Sequence, residues 1–321
     1  MRSIVSLLIG LFAVFSTNAV DAQDYPSRPV KIVVPYTPGG IDTVARLVGS
    51  RLSDIWKQSV VIENRPGASG VIGVEFVIKS APDGYTLLMT AGSDLTVTPH
   101  VINKATYNPP RDLAAIVVAT DSPLIFAAPA TAPFNTIGEM IAFSKTQPGG
   151  LAFSNPGSGT IHHLTVERFA LETGAKILHI AYKGGTPAFA AIAAGEVPVG
   201  IASAASAIPF IKSGRVKVVA AATARRIPLG PNWPTIAESG VPGFQASLWT
   251  AMAAPVGTPR EVIAKINADT NRVLKMPEVR ERLASAFIEV VGSTPEELGA
   301  KIRDESDRYG KLVKKLNLKF E

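Results

Sequence analysis

Short apolar segments rich in β-branched residues alternate with segments of helical hydrophobic spacing along most of this chain. Residues 30–34 form the first apolar run, and in residues 43–56 the apolar side chains recur three or four positions apart. The short runs suit buried strands, whereas the longer periodic stretches suit amphipathic helices. Because strands that alternate with helices favour parallel pairing, the sequence predicts an α/β protein with two mostly parallel sheets flanked by helices.

The chain is predicted to pass twice between two lobes. Residues 116–119 and 124–128 are apolar runs separated by Thr120, Asp121, Ser122 and Pro123, and we interpret them as the first crossing. Residues 247–253 form the strand of the second crossing. Two connections between lobes are typical of a hinge. We therefore expect lobe 1 at residues 23–120 and 249–321, and lobe 2 at residues 121–248.

The N-terminus has the pattern of a secretory signal. Met1 and Arg2 precede an uncharged apolar run at residues 4–15, and small residues then lead to Ala22. The run is too short to cross a bilayer as a helix, which disfavours a membrane anchor, the alternative interpretation. We predict a signal peptide at residues 1–22 and a mature protein outside the cytoplasm.

The composition excludes several functional classes. The chain has no cysteine, which excludes disulfides, thiolate catalysis and zinc–thiolate sites. Its formal net charge of +6 is spread along the sequence, without a basic cluster interleaved with aromatic residues. We therefore expect no nucleic-acid partner. A modest positive surplus does help to attract anionic solutes.

The first strand-to-helix loop has the features of an anion site. Gly39 and Gly40 leave the backbone bare, and Asp42 is predicted as the N-cap of the following helix. Free N–H groups and the positive end of the helix dipole would then lie beside an open surface, which attracts anions. A tight connection without a ligand is the alternative. The P-loop and G-x-G-x-x-G patterns are absent.

Three later junctions repeat this combination. Residues 90–94 place small hydroxyl residues after a strand, residues 154–160 combine glycines with hydroxyls, and residues 182–187 contain another glycine pair. In an open α/β sheet such loops lie at the carboxyl ends of the strands, where ligands bind. Simple helix capping is the alternative for Thr90 and Ser93. We expect the backbone donors of these loops to surround one carboxylate from two sides.

Catalytic and metal chemistry has little support in the sequence. His163 and Glu167 are four residues apart and His162 is adjacent, but H-E-x-x-H is missing and no third ligand lies nearby. Ser158 lies among glycines without forming G-x-S-x-G. We therefore predict no catalytic residue, no metal site and no cofactor. A secreted hydrolase or lyase that uses Ser158 with His162 or His163 is the runner-up.

Seven segments together resemble a known family. They are YPSRPV at 25–30, PYTPGGID at 35–42, ENRPGA at 63–68, APDGYTLL at 81–88, GSGT at 157–160 with HL at 163–164, YKG at 182–184 and PTIAESG at 234–240. In this order they are similar to the substrate-binding proteins of tripartite tricarboxylate transporters, the Bug (TctC-like) family. The resemblance covers nearly all of residues 25–321.

The resemblance implies a periplasmic, two-lobed protein of the type II binding-protein fold, with two hinge crossings. Such a protein closes on a carboxylated solute and presents it to the membrane components of a tripartite tricarboxylate transporter. A ligand-loaded co-sensor for a membrane sensor kinase is the alternative, because it shares the fold and the site. We expect a monomer.

The resemblance also implies which residues contact the ligand. The first-lobe loop falls on residues 36–42, where main-chain groups and ordered water hold one carboxylate, and a second contact region falls on residues 90–93. In the other lobe, the contacts fall on residues 154–160, on the matching histidine and on the loop at 182–184. The predicted ligand-binding residues are Tyr36, Thr37, Gly39, Gly40, Asp42, Thr90, Gly92, Ser93, Ser154, Asn155, Ser158, Gly159, Thr160, His163, Tyr182, Gly184 and Ser203.

Two departures from the family pattern bear on the ligand. Only Ile41 separates the glycine pair from Asp42, whereas the family usually has two residues there, so the carboxylate pocket is expected to be reshaped. Residues 197–203 lack the acidic residues that the family commonly carries near the start and at the tip of this segment. We therefore expect a dicarboxylate, tricarboxylate or aromatic carboxylate rather than an amino acid.

Overall fold

A computed structural model describes residues 25–182, 184–228 and 230–318 of the chain. The predicted signal peptide lies outside these residues. Within them, no helix combines the length and the apolar character needed to cross a membrane.

The first part of the chain alternates strands and helices as expected. The helix that the sequence places at residues 43–56 begins earlier, at Gly40, because Gly39 takes the N-cap position. The elements of this part are β1 (Val30–Val34), α1 (Gly40–Trp56), β2 (Val60–Asn64), α2 (Val71–Ile78), β3 (Thr86–Ala91), the short helices α3 (Gly92–Thr96), α4 (Thr98–Val101) and α5 (Pro109–Asp112), and the long strand β4 (Leu113–Pro129).

The second part repeats the alternation before the chain returns. Its elements are α6 (Ile137–Thr146), β5 (Leu151–Asn155), α7 (Ile161–Thr173), β6 (Ile177–Ala181), α8 (Gly185–Ala193), β7 (Val199–Ser203), α9 (Ala204–Lys212) and β8 (Val216–Ala221). The returning segment contains β9 (Ser247–Pro255), α10 (Arg260–Leu274), α11 (Pro277–Ser285), β10 (Glu289–Val290) and α12 (Pro295–Leu316).

The strands form a mixed sheet in the order β2-β1-β3-β9-β4-β7-β5-β6, with β8 and β10 also paired to β4. Strand β1 pairs in parallel with β2 and β3, and β5 pairs in parallel with β6 and β7. Every antiparallel pair involves β4 or β9. The α/β fold class is confirmed. Parallel pairing holds within each outer group, and the two long strands join the groups.

Strand β4 is continuous and includes both apolar runs of the predicted first crossing together with residues 120–123 between them. Asp121, Ser122 and Pro123 stay in register with β9, opposite Trp249, Leu248 and Ser247. Pro123 lies where β4 leaves β9 and begins to pair with β7 and β8. Its missing N–H therefore interrupts few ladder bonds. The lobe boundaries at residues 120/121 and 248/249 stay predictions.

An aromatic cluster packs one face of β4. Phe126 is fully buried and meets the rings of Phe153 and Phe169 edge to face, with centroids 5.0 Å and 5.1 Å away. Phe169 in turn meets Phe244 at 6.0 Å. Edge-to-face pairs add to the free energy gained from apolar burial. The cluster therefore ties β4 and β5 to α7 and to the segment before β9.

We expect Phe126→Ala to lower the free energy of unfolding by about 3–5 kcal/mol, because it removes a buried ring and leaves a cavity. Urea denaturation followed by circular dichroism measures this loss. Leu178→Ala is the control, because Leu178 is 49% exposed on β6. Its effect should stay within about 0.5 kcal/mol. Equal losses for the two variants would contradict this account of the core.

Candidate ligand-binding cleft

A cleft of about 610 Å³ lies where several strand-to-helix loops meet. Its walls come from the β1–α1 loop, the β6–α8 loop, the β7–α9 junction and residues of β4 and β9. Thr120 and Ser122 line it from β4, so the intervening Asp121 points to the opposite face of the strand. The long strands thus form the floor, and the loops form the rim.

Three helices begin at this cleft without a side-chain cap. Gly39 precedes α1, Gly184 precedes α8 and Ser203 precedes α9, and at none of them does a side chain accept a first-turn N–H. Gly184 has a φ of 115°, a conformation that favours glycine. Uncapped first turns leave N–H groups without intrahelical partners and carry the positive end of the helix dipole. The cleft is therefore lined by donors suited to an anion.

Asp42 does not cap α1, which corrects the sequence prediction. Since the helix begins at Gly40, Asp42 falls on its third residue, where the carboxylate accepts a hydrogen bond from Arg46 Nε at 2.8 Å. Asp42 is only 5% exposed, and the hydrogen bond from Arg46 holds its pKa below the ordinary value. Asp42 does not line the cleft, and it leaves the first N–H groups of α1 uncapped.

A second cavity of about 320 Å³ adjoins the cleft. Four residues, Tyr36, Ile41, His162 and Leu248, line both spaces. The remaining wall of the second cavity comes from Ser69 before α2, from the start of α3, from the loop before α7 and from α4. The candidate site therefore has two compartments that share one wall.

The predicted ligand-binding residues fall into three groups by position. Six line the cleft, and these are Tyr36, Thr37, Gly39, Gly40, Gly184 and Ser203. Four others line only the second cavity, which Tyr36 also lines, and these are Ser93, Ser158, Gly159 and Thr160. Seven line neither space, and these are Asp42, Thr90, Gly92, Ser154, Asn155, His163 and Tyr182. Contact with a ligand stays a prediction for all of them.

The residues outside both spaces support the loops that line them. The Thr90 hydroxyl donates to Asp94, and the Ser154 hydroxyl donates to the Ala188 carbonyl. Asn155 Oδ1 accepts the N–H of Gly157 at 2.9 Å. Its carbonyl accepts the N–H of Tyr182 at 2.8 Å. These buried contacts fix the loop conformations from behind.

His163 belongs to a hydrogen-bonded group behind the loop before α7. Its Nδ1 accepts the N–H of Gly159 at 3.1 Å, and its Nε2 lies 3.5 Å from Glu167 Oε1. His179 Nε2 reaches the same oxygen at 3.0 Å. The hydrogen bond with His163, and to a smaller extent the one with His179, lowers the pKa of Glu167 to about 2. The ionised carboxylate therefore anchors the loop that carries Gly159.

In this group His179 is a third potential metal ligand, which the sequence does not place near His163 and Glu167. Potential ligand atoms of His163, Glu167 and His179 lie within 4.8 Å of one another, and His179 comes from the neighbouring strand β6. Coordination through Nε2 of His163 requires the proton on Nδ1. The N–H of Gly159 already points at that nitrogen. The hydrogen bonds of the group are satisfied without an ion.

Asp94 is a buried acid to which the sequence alone assigns no role. It is 1% exposed and lines the second cavity. The Tyr36 hydroxyl lies 2.6 Å from Oδ1 and 2.7 Å from Oδ2, and Thr90 donates to Oδ2. Burial raises the pKa of Asp94 to about 6 against the effect of these donors. The sequence feature that could have identified Asp94 is an acidic residue in the first helical turn after a buried strand.

His162 is the second residue whose place the sequence does not reveal. It is 8% exposed, lines both compartments and has no partner for Nδ1 in the part of the chain that the structure describes. Burial lowers the pKa of His162 to about 4, so the imidazole is neutral at pH 7. The sequence favoured His163 over His162 only through the family pattern.

Solved structures with the same fold define the class of protein. The chain superimposes on Rpa4515 of R. palustris, solved with adipate, with a TM-score of 0.79 and 32% identity, covering 91% of this chain and 98% of that one. MatC from Rhodopseudomonas palustris, solved with malate, gives 0.77 and 29%, with coverage of 90% and 100%. The fold is therefore that of a two-lobed periplasmic binding protein.

The sequence comparisons narrow the class to one family. Residues 44–318 match the family described as "Tripartite tricarboxylate transporter family receptor". Protein BugT of Bordetella pertussis is 35% identical over 318 residues, which cover 98% of this chain and 98% of BugT. The chain belongs to this receptor family, as the sequence motifs predicted. Members of the family bind solutes and are not enzymes.

We expect Tyr36→Phe to destabilise the protein in a pH-dependent way. The Tyr36 hydroxyl stabilises the ionised Asp94, so its loss raises the folded-state pKa of that carboxyl further. The loss of stability is then small below that pKa and grows as the pH rises through it, reaching about 1 kcal/mol near neutrality. Urea denaturation at a series of pH values measures the difference from the wild type.

Tyr107→Phe is the matched control, because the Tyr107 hydroxyl donates to the main-chain carbonyl of Asp94 at 2.8 Å. That bond does not depend on the charge of the carboxyl group, so its loss should cost nearly the same at every pH. A pH-independent loss for Tyr36→Phe would contradict the assigned hydrogen bonds.

Proposed function

We propose that this protein captures a small carboxylate in the cleft and delivers it to the membrane components of a tripartite tricarboxylate-type transporter. The main observation that supports this proposal is that α1, α8 and α9 all begin at one cleft with uncapped first turns. Each first turn offers N–H donors and a positive dipole end. A carboxylate held between them accepts several hydrogen bonds at once.

Among the described residues that line the two compartments, none is lysine or arginine. Main-chain N–H groups and lining hydroxyls, such as those of Thr186 and Ser203, are therefore the donors that the described residues offer to a carboxylate. Hydrogen bonds to an ionised acceptor are stronger than neutral ones, which makes such a backbone site effective. This agrees with the carboxylates bound by two neighbours, adipate in Rpa4515 and malate in MatC.

The proposal extends to location and motion. A signal peptide at residues 1–22 would export the chain to the periplasm, where it would act as a monomer. Strands β4 and β9 connect the two predicted lobes and act as the hinge around which the cleft closes. The predicted contacts on both rims, such as Tyr36 and Gly184, would then meet one ligand. The sensor-kinase partner has no observation in its favour.

The direct test is isothermal titration of the purified mature chain with a panel of carboxylates that includes adipate and malate. We expect binding at one site per chain without product formation. A carboxylate should bind at least about tenfold tighter than the corresponding primary amide, because the helix termini act on charge. Equal affinity for acid and amide, or no binding by any acid in the panel, would overturn the proposal.

We expect Thr186→Asp to weaken carboxylate binding by at least about tenfold while leaving the melting temperature unchanged or higher. Thr186 is exposed, lines the cleft and is the second residue of α8. An acidic residue in a first turn favours the helix, yet its charge repels an anionic ligand nearby. Titration of the ligand and thermal denaturation measure the two effects separately.

Gly138→Asp is the matched control for this charge. Gly138 is also exposed and is the second residue of its helix, α6, but it does not line the cleft. The affinity of Gly138→Asp should equal that of the wild type. Comparable losses of affinity for both variants would mean that the cleft is not the site.

A further inference from the structure

The two compartments of the site differ in their polarity. The cleft has the uncapped first turns of α1, α8 and α9, whereas the second cavity has the buried carboxyl group of Asp94. A ligand that extends past the shared wall of Tyr36, Ile41, His162 and Leu248 meets both environments. Its two ends must therefore differ in chemistry.

The hydroxyl protons around Asp94 are already committed to it. Tyr36 and Thr90 donate to the carboxylate, and Thr98 also hydrogen-bonds to it. The Tyr36 oxygen can therefore only accept hydrogen bonds, and Ser93 is one of its partners. With its donors turned inwards, this part of the cavity wall favours a ligand group that brings its own proton.

The charge of the second cavity is also unfavourable for an anion. Asp94 is largely ionised at pH 7, and none of the described residues that line this cavity is lysine or arginine. His162 is neutral there, and its Nδ1 can donate or accept one hydrogen bond with a ligand without adding charge. A second carboxylate in this cavity would face a like charge through a poorly screened interior.

We infer that the ligand carries one carboxylate, held at the cleft, and a hydrogen-bond donor without negative charge, such as a hydroxyl or ammonium group, at its other end in the second cavity. This inference rests on the proposed function, because it assumes that the cleft holds the carboxylate. It departs from the expectation of a dicarboxylate. That expectation considered only the missing acids of residues 197–203, whereas Asp94 supplies a negative charge from α3.

Three six-carbon acids that differ only at the far end provide the test. Adipate ends in a second carboxylate, 6-hydroxyhexanoate in a hydroxyl and 6-aminohexanoate in an ammonium group. In titrations of the wild-type chain at pH 7, we expect the hydroxy acid, the amino acid or both to bind at least about tenfold tighter than adipate.

Asp94→Asn should reduce this preference by about tenfold, because it removes the charge with little change of shape. Asp121→Asn is the control. Burial also raises the pKa of Asp121 to about 6, but its side chain points away from the cleft. The preference should be unchanged in Asp121→Asn.

A second pair of variants keeps the test independent of the stability of Asp94→Asn. Ser69 is exposed and lines the second cavity, so Ser69→Lys adds a cation there. We expect this variant to shift the relative affinity towards adipate by at least about tenfold. Ser69→Met has a side chain of similar length without charge and therefore measures the effect of size alone. The shift towards adipate in Ser69→Lys should exceed the shift in Ser69→Met by at least about tenfold.

The outcomes separate this inference from the proposed function. Adipate that binds the wild type as tightly as both other acids, or a preference unaffected by Asp94→Asn and by Ser69→Lys, overturns the inference and leaves carboxylate capture intact. If none of the carboxylates in either panel binds, the proposed function fails and the inference fails with it.

Discussion

The antiparallel pairing of β4 with β9 is the constraint on which the remaining structure depends. Their register extends from Leu113 opposite Pro255 to Pro123 opposite Ser247. Strand β9 also pairs with β3, and β4 continues beyond β9 to pair with β7 and β8 on its two edges. The pairing positions the carboxyl ends of β1, β6 and β7 around one space, so the helices that follow these strands begin at the same cleft.

Much of this arrangement follows from local patterns in the sequence. The glycine pair before α1 and the glycines before α8 identify loops that reach the cleft, because bare backbone and a helix start coincide there. The alternation of apolar and amphipathic segments predicts the α/β class. The two apolar runs predict the crossing, but only the change of neighbouring strand explains why β4 can continue through Pro123.

The side chains of the site are less predictable for a physical reason. Asp42 looked like a cap, but the start of the helix at Gly40 moved it into an ion pair with Arg46. Adjacent histidines diverge, because successive positions on a helix face about 100° apart. His163 therefore joins Glu167 and His179, and His162 reaches the compartments. The role of Asp94 depends on Tyr36, which lies far away in the sequence. No local pattern encodes such a pairing.

The proposed recognition of a carboxylate by main-chain groups at the starts of α1, α8 and α9 would have an evolutionary consequence. Substitutions change side chains but leave peptide groups in place. Binding of one carboxylate of the ligand would therefore survive mutation of the surrounding residues. Positions such as Ser69, Ser93 and Asp94 are then free to vary and to suit other solutes. Homologous proteins with this fold could therefore change the solute that they bind through few substitutions, while the main-chain groups that hold the carboxylate stay the same.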